Sequence, residues 1–254
     1  MKPHVPAYPV PALEKGLEIL EALSASSTPQ TLSALAQLLK RKNNEIFRML
    51  NLLERRRYVL RDESGGYRLS LRMYQLAHAQ PMVAQLVEVA MPALRELSLA
   101  TGESCHLSVL EGMEIVILAR VESSNPVRLV VELGGRFSAL TTVSGRMILS
   151  QKDPGVRHEM LESAPEFRQL KASARQALME RIEGIAQEGF SAARDETVTG
   201  VVDAAVAISG SSSGIDAAVA IAALTTDSRR RDPREFREPL EECAKTLRDR
   251  LGIP

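Results

Sequence analysis

At Gly102 the apolar period of the chain changes. Upstream, Leu13, Leu17, Leu20 and Leu23 recur at helical spacing, and so do Ile46, Met49, Leu50 and Leu53. Downstream, SCHLSVL, MEIVILARV and VRLVVEL read as strands, punctuated by Gly112 and Asn125-Pro126. A helical module followed by one that mixes strands and helices implies an α+β chain with two cores. At 254 residues, the chain is long enough for two ordinary domains.

Charge divides the chain at a similar place. Residues 1–78 hold 12 Lys+Arg and 7 Asp+Glu, a balance of +5, and the remaining 176 hold 20 and 25, a balance of −5. A small basic module joined to a larger acidic one points to a polyanionic partner for the first. No apolar run reaches the roughly 18–20 residues needed to span a bilayer. The N-terminus, MKPHVPAYPVPALEKG, lacks the apolar core and small-residue cleavage site of a signal peptide. Cys105 and Cys243 stand alone, which suits neither a disulfide framework nor a zinc site. The expectation is therefore a cytoplasmic protein without metal or cofactor and with no membrane partner.

The first module has a fixed order of elements. Four prolines within residues 1–11 make an extended arm. A helix follows from Ala12 and ends in SASSTPQ. LSALAQLL is a second helix, capped by Thr31 or Ser33. Lys40–Lys42 forms a turn, and a third helix runs from Asn43 or Asn44, either of which can cap it, to about Arg56. Two short segments, Tyr58–Arg61 and Tyr67–Ser70, then flank DESGG, whose glycines supply the positive φ of a hairpin. Two helices joined by a short turn place the second in the DNA major groove, N-terminus first. There Lys42, Asn43, Asn44, Glu45, Phe47 and Arg48 can reach base edges, where Asn pairs with adenine, Arg with guanine and Glu with cytosine. Thr31 and Ser33 suit phosphate contacts. Arg61, Tyr67 and Arg68 suit a wing along the backbone. Arg55–Arg57 sit where cations complement the helix dipole, and read as stabilisers. The bland alternative, a solvated basic helix with a hairpin, does not account for the element order, the glycine turn and the basic excess together.

These segments resemble a known family. VPALEKGLEIL, LSALAQLL, NNEIFRMLNLLERRRYV and GGYRLS are similar to the winged helix-turn-helix of IclR-type bacterial transcriptional regulators. VLEGMEIVILARVES, ELGGRFSALTTVSGRMILS and EGIAQEGFSAARDETVTGVVDAAVAIS resemble the family's effector domain, so the likeness runs from about Ala12 to Leu251. The resemblance implies a winged helix-turn-helix over residues 1–78, a linker helix over 79–101 and a GAF-like α+β effector-binding domain over 102–254. It further implies a small-molecule effector, often a carboxylate or aromatic catabolite. The protein would act as a homodimer or dimer of dimers on pseudo-palindromic double-stranded operator DNA. The chain departs from the family at Lys40-Arg41, where Gly then an apolar residue is usual, and at Arg57, where Gly is common. It also departs at Asp203, where many members carry Cys, and at Ala220 and Ala222, where many carry Ser.

For the effector, Ser144 and Gly145 open a helix whose free N–H groups suit a polar head. Asp203, Ala205 and Ala207 alternate onto one strand face, and Asp203 either takes a ligand hydrogen bond, faces solvent, or pairs with an arginine such as Arg120 or Arg128. The candidate set is Leu118, Arg120, Thr142, Ser144, Gly145, Met147, Asp203, Ala205, Ala220 and Ala222. Its small side chains point to a flat or apolar ligand with a polar head. Cys105 and His106 are strand neighbours pointing to opposite faces, which disfavours a catalytic dyad. No HExxH, P-loop or GxGxxG occurs. The rival class is an enzyme or sensor whose basic module docks a partner other than DNA, and it lacks a polar catalytic constellation.

Overall fold

Proline opens the first helix, α1 (Pro11–Ser24), where its missing N–H costs nothing and its fixed φ suits the turn. The structure, a computed structural model, describes residues 10–208, 216–225 and 231–253, and divides into two units, Met1–Ala84 and Gln85–Pro254. The expected N-terminal arm lies almost wholly outside the described residues. In the first unit, Thr31 Oγ1 accepts the Ala34 N–H at 3.2 Å and so caps α2 (Leu32–Leu38). The third helix, α3 (Asn43–Arg55), buries Ile46 and Leu50 against Ile19, Leu23, Leu35 and Val59, with Met49 and Leu53 packed beside them. Neither asparagine caps it, contrary to expectation. Lys42 holds the cap position without a side-chain bond, and Asn43 and Asn44 are the first two helical residues.

The two usual glycine sites keep left-handed geometry without glycine. Lys40 has φ +52° in the turn and Arg57 has φ +61° beyond α3. Arg41, next to Lys40, reaches back to Glu18 at 2.9 Å. Strands β1 (Val59–Arg61) and β2 (Tyr67–Leu69) form the antiparallel hairpin. Of the two turn glycines, only Gly65 takes a positive φ, +86°. Gly66 is needed for space, since a Cβ there would lie 2.9 Å from Pro29. Tyr67 and Gln30 exchange two backbone hydrogen bonds of 2.8 Å, which tie the hairpin to the segment before α2. A short helix, α4 (Arg72–His78), precedes α5 (Pro81–Thr101), in which the boundary between the units falls.

The second unit is built on one antiparallel sheet. Strands β3 (Ser104–Glu111), β4 (Glu114–Val121) and β5 (Arg136–Ser138) come first. Helices α6 (Val143–Ser150), α7 (Pro154–Ser163), α8 (Pro165–Gln169) and α9 (Ala172–Glu188) follow. Strands β6 (Ser191–Arg194), β7 (Val201–Ala207) and β8 (Ala217–Leu224), a 3-10 turn (Pro233–Phe236) and α10 (Arg237–Leu251) complete it. The strand order is β5-β4-β3-β8-β7-β6. One sheet face, with Cys105, Leu107, Ala204, Val219 and Ile221, packs on Ala90, Leu94 and Leu97 of α5, and on Leu240 and Leu247 of α10. On the other face Ala205, Ala207 and Ala220 admit Val143 and Met147 of α6.

The expected third strand, VRLVVEL, is outside the sheet. The edge of β4 is taken instead by residues 134–138, where Gly134 N–H donates to Ile117 at 2.8 Å and β5 pairs with Glu114–Val116. The displaced segment is held by Arg120, whose Nη1 donates to the Val131 carbonyl at 2.7 Å. Strands β5 and β6 and helix α8 were not expected, being three to five residues each. GSSSG, residues 210–214, the expected connection between the last two strands, lies outside the described residues.

Candidate functional site

The start of α3 presents one exposed face. Lys42, Asn43, Asn44, Phe47 and Arg48 are all exposed, while Ile46 and Leu50 point into the core. Phe47, 44% exposed, is a large apolar side chain left facing water. Glu45 is half-buried and paired with Lys15 at 2.6 Å, and that bond holds its carboxyl below the usual carboxylate range. It thus braces α3 against α1. Ser33 is exposed in the first turn of α2, and the Thr31 hydroxyl accepts the cap bond. In the hairpin Arg61 and Arg68 are exposed. Tyr67 departs from its expected place on the outer surface. At 2% exposure it belongs to the core, because its strand alternation turns it inward. The Arg61 guanidinium stacks over its ring at 5.5 Å, a cation–π contact that orients Arg61.

The second unit contains a cavity of about 370 Å³ on the α6 side of the sheet. Its floor is His106, Ile115, Ile117, Asp203 and Ala222 from the strands. Thr142, Val143 and Ser144, at the N-terminus of α6, form one wall, and Thr197, Val198 and Val201 another. Leu129–Glu132 and Phe137 supply the remaining side. The displaced VRLVVEL segment is therefore a cavity wall, fastened by Arg120 from behind. Thr142 Oγ1 accepts the Gly145 N–H at 3.2 Å and caps α6. Gly145 allows the helix to lie against the preceding turn, since a Cβ there would fall 2.3 Å from Ala139 Cα.

Of the expected effector residues, Thr142, Ser144, Asp203 and Ala222 meet around this cavity. Met147, Ala205 and Ala220 are buried beneath α6, with no part in the lining. Leu118 packs toward the opposite core. A β-bulge explains this: Leu107 pairs with Ala119 and Ser108 with Ile117, so Leu118 has no cross-strand partner and the alternation resets. Arg120 bonds Val131 and Glu122, outside the lining. Sequence reasoning missed His106, Ile115, Ile117 and the wall segments. The alternation of Ser104, His106 and Ser108 on one strand face was the available signal for His106.

Electrostatics around Asp203 are tightly arranged. Its carboxylate accepts the Thr197 hydroxyl at 2.9 Å, and burial raises its pKa above the ordinary value despite that bond. Behind it, the buried Arg146 donates to the Leu140 carbonyl at 3.1 Å and to Glu196 at 2.8 Å, and burial lowers its pKa. Arg181 completes the group at 2.5 Å from Glu196. His106 is pushed down to about 4 by burial, so its imidazole is neutral near pH 7. On the other sheet face, Cys105 donates its thiol to the Leu94 carbonyl at 3.0 Å, and burial raises its pKa to about 12. The two neighbours thus face opposite ways and form no dyad. Among the described residues no group of His, Cys, Asp and Glu could hold a metal ion, and no helix is long and apolar enough to cross a membrane.

A winged helix-turn-helix followed by an α+β unit with a ligand-sized cavity defines a class: DNA-binding regulators with an effector domain. The IclR helix-turn-helix domain matches residues 12–63, and the bacterial transcriptional regulator IclR C-terminal domain matches residues 80–248. The chain belongs to the IclR family of transcriptional regulators. Among relatives, it is 24% identical over 248 residues to the HTH-type transcriptional regulator XynR of Escherichia coli (strain K12), covering 96% of this chain and 98% of that one. It is also 24% identical to the HTH-type transcriptional repressor AllR of the same organism, over 83% of this chain and 79% of that one. Its fold matches the crystal structure of an IclR homolog from Microbacterium hydrocarbonoxydans complexed with 4-hydroxybenzoate. That match has a TM-score of 0.77 and 23% identity, covering 96% of this chain and 100% of the other.

Proposed function

We propose that this protein represses a catabolic operon in the cytoplasm. It binds a pseudo-palindromic operator as a homodimer or dimer of dimers, and a small metabolite controls that binding. The observation that carries the DNA half is the division of α3 into a core stripe and an exposed face of Lys42, Asn43, Asn44, Phe47 and Arg48. On this reading the asparagines and Arg48 contact bases, and Phe47 lies against a thymine methyl. Ser33 and Thr31, with Arg61 and Arg68 of the wing, contact phosphates. Glu45 and Tyr67 position this surface from within.

The cavity supports the sensing half. Its volume is at the small end of the usual range for ligand sites, and apolar side chains dominate its lining. A single substituted ring, the size of the 4-hydroxybenzoate held by the Microbacterium relative, suits it. Repressors among the relatives favour that sign of regulation.

The test is operator selection from random duplexes with the full-length protein, followed by binding measured against salt. Affinity falls as salt rises, because phosphate contacts release counterions. Asn44→Ala relaxes sequence preference, and Arg68→Ala weakens all duplexes alike. Uniform loss in both variants would overturn the division between reading helix and wing. A thermal-shift screen of aromatic acids, amides and short keto acids identifies the effector class. If no compound in it binds, the sensing half fails.

A further inference from the structure

The cavity holds polar groups without partners. His106 is 8% exposed and Ser144 1%, both line the cavity, and among the described residues neither side chain makes a hydrogen bond. Their polar atoms open onto the cavity, so they are available to whatever occupies it. The N–H groups of Val143 and Ser144 begin α6 and have no intrahelical acceptor. Asp203 commits one carboxylate oxygen, Oδ2, to Thr197.

The signs of these groups are unequal. Asp203 and Glu132 line the cavity, and among the described residues no lysine or arginine does. Arg146 stands behind Asp203 and its charge acts to lower the Asp203 pKa, but neither it nor Arg120 lines the cavity, and their guanidiniums bond Val131, Glu122, Leu140 and Glu196. Cation-free and acid-bearing, the lining is unfavourable for a second carboxylate.

We infer that the effector is an uncharged molecule with an apolar body and a primary-amide head, and that His106 is a specificity-determining residue that reads this head. This rests on the cavity being the effector site. An amide presents an acceptor and donors side by side. Its carbonyl suits the N–H groups opening α6 and the Ser144 hydroxyl, while its N–H groups suit Asp203 and the unprotonated nitrogen of His106. A carboxylate of the same shape offers acceptors alone and sets a negative oxygen against Asp203. The neutral imidazole supplies no compensating charge.

Benzamide and benzoate are the matched probes. Isothermal titration calorimetry on the full-length protein near neutral pH is expected to show benzamide binding at least about tenfold more tightly, the value of one to two net hydrogen bonds. His106→Leu weakens benzamide by about tenfold and leaves benzoate nearly unchanged, and His106→Gln, which keeps a donor and an acceptor, restores most of the loss. In the wild-type protein the His106 imidazole nitrogen resonances move on adding benzamide, a readout independent of whether a variant folds. Benzoate binding as tightly as benzamide overturns the inference and leaves the sensing role intact. So does benzamide binding that leaves the His106 resonances in place, and so does no binding of either probe at millimolar concentration. Failure of the sensing role is a separate result, read from the wider screen.

Discussion

Adding one methyl group to Gly145 tests how α6 is seated over the cavity. An alanine Cβ there would lie 2.3 Å from Ala139 Cα and 2.4 Å from its carbonyl oxygen. Carbon atoms rest at roughly 3.5–4 Å, so the start of α6 must withdraw by about 1 Å. The neighbours are backbone, and no rotamer change relieves them. Overpacking a core costs about 1–3 kcal/mol, and this contact belongs at the upper end. For a domain of this size each kcal/mol moves Tm by roughly 2–4 °C, so Gly145→Ala should lower it by about 6–12 °C. Gly184 is the control. It is an exposed residue inside α9 with nothing within 4 Å of an added Cβ. The same substitution there removes only a helix penalty, and Gly184→Ala should gain about 1 kcal/mol, or roughly 2–4 °C. Both are read by far-UV circular dichroism melts of the full-length protein. A Gly145→Ala melt that coincides with wild type, or a shift of the same sign in both variants, would refute the close-approach argument.

His106 carries an acid sensitivity. Its folded pKa of about 4 lies below the ordinary 6.5, so the unfolded chain binds more protons between these values. Stability is therefore fully present above about pH 6.5 and falls by roughly 3 kcal/mol as pH drops to about 4. Urea unfolding of His106→Gln should lose that slope, and an unchanged slope would show that the imidazole is not buried neutral. Arg57→Gly and Lys40→Gly should each stabilise the first unit by up to about 1 kcal/mol, since a side chain in the left-handed region is strained. Thermal melts that show either variant less stable than wild type contradict this. Thr31→Ala should cost about 1 kcal/mol of α2 stability and speed amide exchange at Ala34, and Thr31→Ser should restore both.

What the sequence made readable follows from where its patterns are long. The stripe of Ile46, Met49, Leu50 and Leu53 marks α3 and its core face without any structure. The order of helices and the GG hairpin identify the first unit for the same reason. Capping was harder: Asn43 and Asn44 both have the right chemistry, and only geometry puts Lys42 at the cap. Strand alternation carried Asp203 and Ala222 to the cavity correctly and failed at Leu118, because a bulge is invisible to a strict period of two. VRLVVEL has a strand's composition, yet Arg120 and residues 134–138 decide its place, and both are tertiary facts. Strand alternation separates His106 from Cys105 and excludes a dyad between them. The place of His106 in the lining depends on which sheet face α6 leaves uncovered.

The two-sided design of α3 has a consequence for how such a protein diversifies. Asn43, Asn44, Phe47 and Arg48 are exposed and uncoupled from the cap, while Ile46 and Leu50 carry the packing. On the proposed reading, changes on the exposed side alter which duplex is preferred with almost no folding penalty. The cavity is different, since Ile115, Ile117 and Val143 line it and are also core residues. With the cavity as the proposed effector site, a new ligand preference must be reached through changes that also strain the fold. Operator choice can drift in single steps, whereas ligand choice needs compensating pairs.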